Sequence, residues 1–364
     1  MTMSRFHTHT ALSLGRYVLC MALLVFAIVG SASAVAEADL TLGLQTGFLV
    51  PTINSLSQMP TDQQRDGQCQ ATYARIGQQR RMVIHVGLGY FDQSRGYPYV
   101  YDGKSYGMNA ALDSFAHAAL VNIITAPCRG EARACGFHIN PSAPASIGGL
   151  PVEFLKGPDA QIPIQVIVRI QHGSLSWSHD ENLKSVSQQR QVSNQAESMF
   201  FDQICQADVA VYMGHSRNGG GPDFNPPVLQ RNGHPNYRGY YERTRPGLNR
   251  LVQSLRQPGC RPPMLLAISS CLSERHFGIA LENAAPGMGL ALSGNNELMS
   301  YSDILSSGLA VIDSALRLQC ARSFQNALYS VGSGGERLQL RNFAGSGPVD
   351  RRAATQPLPP LNED

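Results

Sequence analysis

The chain has 364 residues, 15% of them charged and 43% apolar, with a formal net charge of +3. That apolar fraction supports a packed core, and the near balance of charge argues against a polyanion partner. No basic run interleaved with aromatic residues points to nucleic acid, no Cys and His cluster has zinc-site spacing, and no cofactor is implied.

The first element is a leader. Arg5 and Arg16 are basic, residues 17–30 (YVLCMALLVFAIVG) form an uninterrupted apolar run, and Ala32-Ser33-Ala34 supplies a small-x-small cleavage site. Residues 1–34 therefore read as a secretory signal peptide, too short and wrongly flanked for a stable membrane span. The mature chain is expected to start at Val35 or Glu37, without a membrane span, in the periplasm or outside the cell. A lipid-anchored cysteine would follow the apolar run, whereas Cys20 lies near its start. Removing two arginines and no acids lowers the formal charge to +1.

Export changes the meaning of the cysteines. Seven follow the leader: Cys69, Cys128, Cys135, Cys205, Cys260, Cys271 and Cys320. An oxidising compartment pairs thiols, and an odd count leaves at least one without an intrachain partner. Cys128 and Cys135 bracket a polar loop and are the expected disulfide; the remaining connectivity stays open.

Residues 35–155 read as an irregular N-terminal region. They hold one strand at 81–88 (RMVIHVGL), an aromatic and glycine-rich hairpin or extended loop at 90–109, and a helix at 110–124. His117 in that helix reads as a packed core histidine. The region could be a prosegment, a separate lobe or extra strands of one sheet. Residues 156–340 instead alternate strands with helices. Strands are expected at 162–170, 208–213, 264–269 and 288–293, and helices at 195–206 (capped by Ser193-Asn194), 247–257, 277–283 and 302–318. This alternation predicts an α/β domain with a mostly parallel sheet flanked by helices. Residues 341–364, rich in Gly, Pro, Arg and Ala, read as a disordered tail.

Reactive groups in open α/β sheets gather at the carboxyl ends of strands. Two such ends carry capable residues: Gly214-His215-Ser216-Arg217 and Ser269-Ser270-Cys271-Leu272. A serine nucleophile at Ser216 would need a helix to begin at once. Gly219-Gly220-Gly221-Pro222 opposes that, since each glycine costs about 1 kcal/mol and an interior proline about 3 kcal/mol relative to alanine. A cysteine nucleophile at Cys271 asks less, because a helix-like segment follows it and His215 ends the preceding strand; spacing alone equally allows Cys271 as a buried or disulfide-bonded cysteine and His215 as a turn residue. Gly219 and Gly220 would then form a loop that approaches substrate closely. His172 follows the strand at 162–170 and is a competing histidine.

An apolar strand ending in His, then a helix, then an apolar strand ending in Cys resembles the caspase, gingipain and legumain group of cysteine peptidases. The segments concerned are VAVYMGH and LLAISSC. The resemblance covers residues 162–328 and implies a caspase-like fold, with Cys271 attacking a peptide carbonyl and His215 protonating the leaving amine. Backbone N–H groups at Cys271 and near Ser216 would hold the oxyanion. Gly214, Ser216, Arg217, Gly219, Gly220 and Asp223 would form the substrate loop; Arg217, Asp223 and Glu274 could be charged neighbours of the pocket, but each reads more readily as a member of a local salt bridge. Two departures stand out: Ser216 occupies the place of the family's usual glycine, and GGGPDF is not part of its motif. The resulting expectation is an exported cysteine endopeptidase acting on a protein or peptide substrate. The alternatives are a non-catalytic binding protein of the same fold and a serine hydrolase using Ser216.

Overall fold

Strands covered on both faces carry near-continuous apolar runs, and such runs make the parallel centre of this molecule. The computed structural model describes residues 39–62, 67–92, 98–101, 104–108, 110–147, 149–159, 162–294, 298–331, 338–344 and 346. The expected leader and most of the expected tail lie outside the described residues. In chain order the strands are β1 (Arg81–Leu88), β2 (Pro98–Tyr101), β3 (Lys104–Met108), β4 (His138–Ile139), β5 (Glu153–Lys156) and β6 (Gln165–His172). They continue with β7 (Val209–Met213), β8 (Leu265–Ser269), β9 (Gly289–Ser293) and β10 (Leu338–Arg341).

β2 and β3 form a separate antiparallel hairpin, and the other strands make one sheet in the order β10-β9-β8-β7-β1-β6-β5-β4. β6, β1, β7, β8 and β9 run parallel. β5 and β10 pair antiparallel with their parallel neighbours, and β4 pairs antiparallel with β5. The principal helices are α1 (Val50–Ser57), α2 (Gly67–Gln79), α3 (Asp113–Thr125), α4 (His179–Lys184), α5 (Val186–Glu197), α6 (Pro246–Leu255), α7 (Ile279–Ala284), α8 (Tyr301–Leu316) and α9 (Ala321–Ser330). The fold is α/β, a mostly parallel sheet flanked by helices.

The two-residue period of a strand sends alternate side chains to opposite faces. In β7 and β8, Val209, Val211, Met213, Leu265 and Ala267 enter the core shared with α3 and α8. Ala210, Tyr212, Leu266 and Ile268 enter the opposite core, with Phe200, Phe201, Leu248 and Leu251. α8 is buried along nearly its whole length, and the side chain of Ser300 caps it by accepting from the Asp303 N–H.

β1 lies at the middle of the sheet, so residues 35–155 supply extra strands of one sheet. The boundary drawn between 155 and 156 falls inside β5. The strand expected at 162–170 lies at β6, and the helix expected at 195–206 is replaced by α5, a π turn (Ser198–Asp202) and a 3-10 turn (Ile204–Gln206). Ser193 and Asn194 therefore sit inside a helix and cap nothing. α5 buries Gln189, Val192, Ser193 and Ala196, and so polar a buried face gives little periodic signal. His117 is fully buried. Disulfides join Cys69 to Cys320, Cys128 to Cys135 and Cys205 to Cys260. No helix among the described residues is long and apolar enough to cross a membrane.

Candidate active site at the β1, β7 and β8 strand ends

An open α/β sheet leaves a crevice outside its strand ends where the strand order reverses. Here the chain passes from β1 to its neighbour β6, then returns to the other side of β1 with β7. The reversal lies between β1 and β7. Gly89–Asp92 and Gly214–Arg217 leave these two strands, and Ser270-Cys271 leaves β8 next door. β7 and β8 pair Met213 with Ser269, and the Gly214 N–H donates to the Ser269 carbonyl at 3.2 Å. The ladder stops at that pair, and His215 and Cys271 each lie two residues beyond it, in the loops that leave these neighbouring strands. His172 ends β6, separated from β8 by β1 and β7.

The loop after β1 holds His215. Its Nε2–H donates to the Asp92 carbonyl at 2.9 Å, which leaves Nδ1 to accept a proton. Its ring stacks on Phe91 at 4.0 Å between centroids, and Phe91 stacks on Tyr301 at 3.9 Å. Phe91 is held in turn, because its N–H donates to Asp113 and its carbonyl accepts from the Leu112 N–H. The imidazole pKa is pushed down to about 4, by burial first and then by Arg217, with Asp92 opposing. The His215 ring is thus neutral at pH 7.

Cys271 lies outside the three disulfides and is half-buried, and it keeps its thiol. The Met299 N–H donates to its sulfur at 3.3 Å, an interaction available to a thiolate. Leu272 takes a left-handed φ of 54°. The next residue locks the turn: the Ser273 N–H donates to the Ser293 hydroxyl, and the Ser293 N–H returns a bond to the Ser273 hydroxyl.

Arg217 has a fully buried side chain. It bonds Asp92 at 2.7 Å, Asp223 at 3.1 Å and the Tyr90 carbonyl at 3.2 Å. Burial, which raises it, is outweighed at Asp92, whose carboxyl Arg217 and His215 hold below its ordinary value. Burial lifts Asp223 above its own. Glu274 pairs with Arg341. All three charged residues are thus committed to local ion pairs.

The glycines also face inward. A Cβ on Gly220 would stand 2.7 Å from the Tyr241 Cβ, and one on Gly214 would stand 2.6 Å from the Tyr212 hydroxyl. Gly219 has a φ of 89° and lies against His276. Packing, rather than approach to a substrate, is what these small residues serve. Ser216 is buried and leads only into a three-residue 3-10 turn, Arg217–Gly219, with left-handed φ values, so the helix a serine nucleophile needs does not form there.

The remaining histidines are dispersed. His172 is buried beside His117, with ring centroids 5.0 Å apart. His179 meets the Tyr90 hydroxyl at 2.7 Å, and His234 is exposed on a loop. Among the described residues no group of three or more His, Cys, Asp or Glu side chains could hold a metal ion. Sequence reasoning missed Phe91, Asp92, Met299 and Tyr301. The first two were within reach, because they follow the strand at 81–88 as directly as His215 and Cys271 follow theirs. No family model, no curated protein and no solved structure matches this chain.

Proposed function

We propose that the protein is an exported cysteine endopeptidase of caspase-like type, with Cys271 as nucleophile and His215 as its acid and base. The observation that carries this reading is the pairing at the strand ends. Six of the seven cysteines after residue 34 are consumed in disulfides, and the seventh keeps its thiol in the loop leaving β8, beside the strand that leads to a histidine fixed by a backbone carbonyl. His215 takes the thiol proton on Nδ1, and the sulfur attacks the peptide carbonyl. The same nitrogen returns the proton to the leaving amine, and water then hydrolyses the thioester. The N–H groups of Cys271 and Ser216 serve as oxyanion donors.

The test is a peptide-library cleavage profile of the mature protein, its Cys271→Ala variant and its His215→Ala variant, with iodoacetamide labelling of the native wild type. The proposal requires label on Cys271 and loss of cleavage in both variants. Cleavage that survives Cys271→Ala, or a Cys271 that resists alkylation, overturns it. A fluorophosphonate adduct on Ser216 would favour the serine hydrolase instead.

A further inference from the structure

The three disulfides differ in access and in company. Cys69 is buried, while Cys205, Cys260 and Cys320 are half-buried. Cys128 alone among the six is exposed. Its bond to Cys135 closes a separation of 7 residues, against 55 and 251 for the other two. A short loop gains least from closure, so this bond is the least reinforced by chain connectivity.

Its company is a buried ammonium. Lys156, on β5, is placed inside, with a side chain only 9% exposed. Its Nζ lies 3.6 Å from the Cys128 sulfur and donates to the Cys135 carbonyl at 3.1 Å. Asp159 stands 3.8 Å away on its other side, and the Phe137 ring lies 5.8 Å from it. A cation beside a disulfide draws an anionic attacker and stabilises the thiolate that departs.

We propose that Cys128–Cys135 is a reversible thiol-exchange site for small anionic thiols, activated by Lys156. An incoming thiolate bonds to the exposed Cys128 sulfur, the S–S bond breaks, and Cys135 leaves as a thiolate that takes a proton. A second thiol attacks the outer sulfur of the mixed disulfide. The small-molecule disulfide departs, and Cys128 is released as a thiolate beside the Lys156 ammonium. Two thiols are oxidised and one protein disulfide is reduced.

The backbone keeps the opened cysteines close. The Gly136 N–H donates to the Ala126 carbonyl at 2.7 Å, and the Phe137 N–H donates to the Ile124 carbonyl at 2.9 Å. Asp313 of α8 accepts from the N–H groups of Arg133 and Ala134 at 2.5 and 2.9 Å. None of these bonds involves a cysteine side chain, so the loop remains set to reclose. This inference stands apart from the peptidase reading.

The mature protein, with all disulfides formed, is treated with glutathione or with cysteamine. Samples are quenched with N-ethylmaleimide over time and mapped by mass spectrometry. Among the six disulfide-bonded cysteines, Cys128 and Cys135 should be labelled first, and glutathione should outpace cysteamine. Lys156→Met should slow the glutathione reaction roughly tenfold, while Lys156→Arg keeps the wild-type rate, as removal of one near charge predicts. Raising the salt on the wild type should shrink the glutathione preference, a measurement that needs no variant to fold. Earlier opening of another disulfide, an unchanged rate in Lys156→Met, or a preference indifferent to salt would each overturn the proposal.

Discussion

Acid should destabilise this protein well before its carboxylates titrate, and buried histidines set the size of the effect. His85 lies inside β1 with no exposed surface, and His276 is 7% exposed beside Arg245. Burial pushes both imidazoles down to about 4, aided by Arg169 at His85 and by Arg245 and Arg275 at His276. In the unfolded chain each returns to about 6.5. Between these values the unfolded state binds more protons than the native state, so stability falls as pH falls. Each histidine then removes about 2 kcal/mol between pH 7 and pH 5, or about 4 kcal/mol for the pair. His215 and His117 shift in the same direction and add to the loss. The carboxyl of Asp223, raised by burial, opposes it.

A loss of 4 kcal/mol is a large share of the 5–15 kcal/mol typical of a folded protein. Urea unfolding followed by tryptophan fluorescence, with disulfides intact, should give a midpoint at least about 1 M lower at pH 5 than at pH 7. His85→Leu should narrow the difference between the two pH values by about 2 kcal/mol, whatever its effect at pH 7. Equal midpoints at both pH values, or an undiminished difference in the variant, would refute the assignment of these histidines as buried and neutral.

If His215 is the base, kcat/KM for a cleaved peptide should fall off in acid around pH 4, not near 6.5, because burial and Arg217 lower its pKa; short assays separate this limb from unfolding. Arg217→Met leaves the Asp92 and Asp223 carboxylates buried without their cation, and should cost about 3–5 kcal/mol by urea unfolding. Gly89→Ala would bring a Cβ to 2.7 Å from the Asp223 carbonyl oxygen. It should cost about 2 kcal/mol of stability and, since this turn leads into Phe91 and Asp92, lower peptide cleavage as well.

The two halves of the candidate site were legible because each ends an apolar strand, and strand content is the clearest signal in this chain. The strands expected at 208–213 and 264–269 form as β7 and β8, at Val209–Met213 and Leu265–Ser269. Their register follows from pairing across the ladder, which no single segment encodes. The contribution of β1 was hidden for a different reason. The hairpin of β2 and β3 and the helix α3 intervene before β4, so the strand at 81–88 reads as part of an irregular region. The local ion pairs expected of Arg217, Asp223 and Glu274 form, but the second carboxylate that closes on Arg217, Asp92 from beyond β1, is brought there by strand order and not by nearby sequence.

That closure bears directly on how the site is organised. Arg217 ties Asp92 from the β1 end to Asp223 from its own loop, and Asp92 carries the carbonyl that orients His215. The charged side chain therefore acts on the histidine through the backbone of its partner, while lowering the imidazole's affinity for protons. One buried cation both holds the residue whose carbonyl orients His215 and, second to burial, keeps that imidazole neutral. Its Nε and Nη2 make these bonds, while Nη1 is buried without a hydrogen-bond partner.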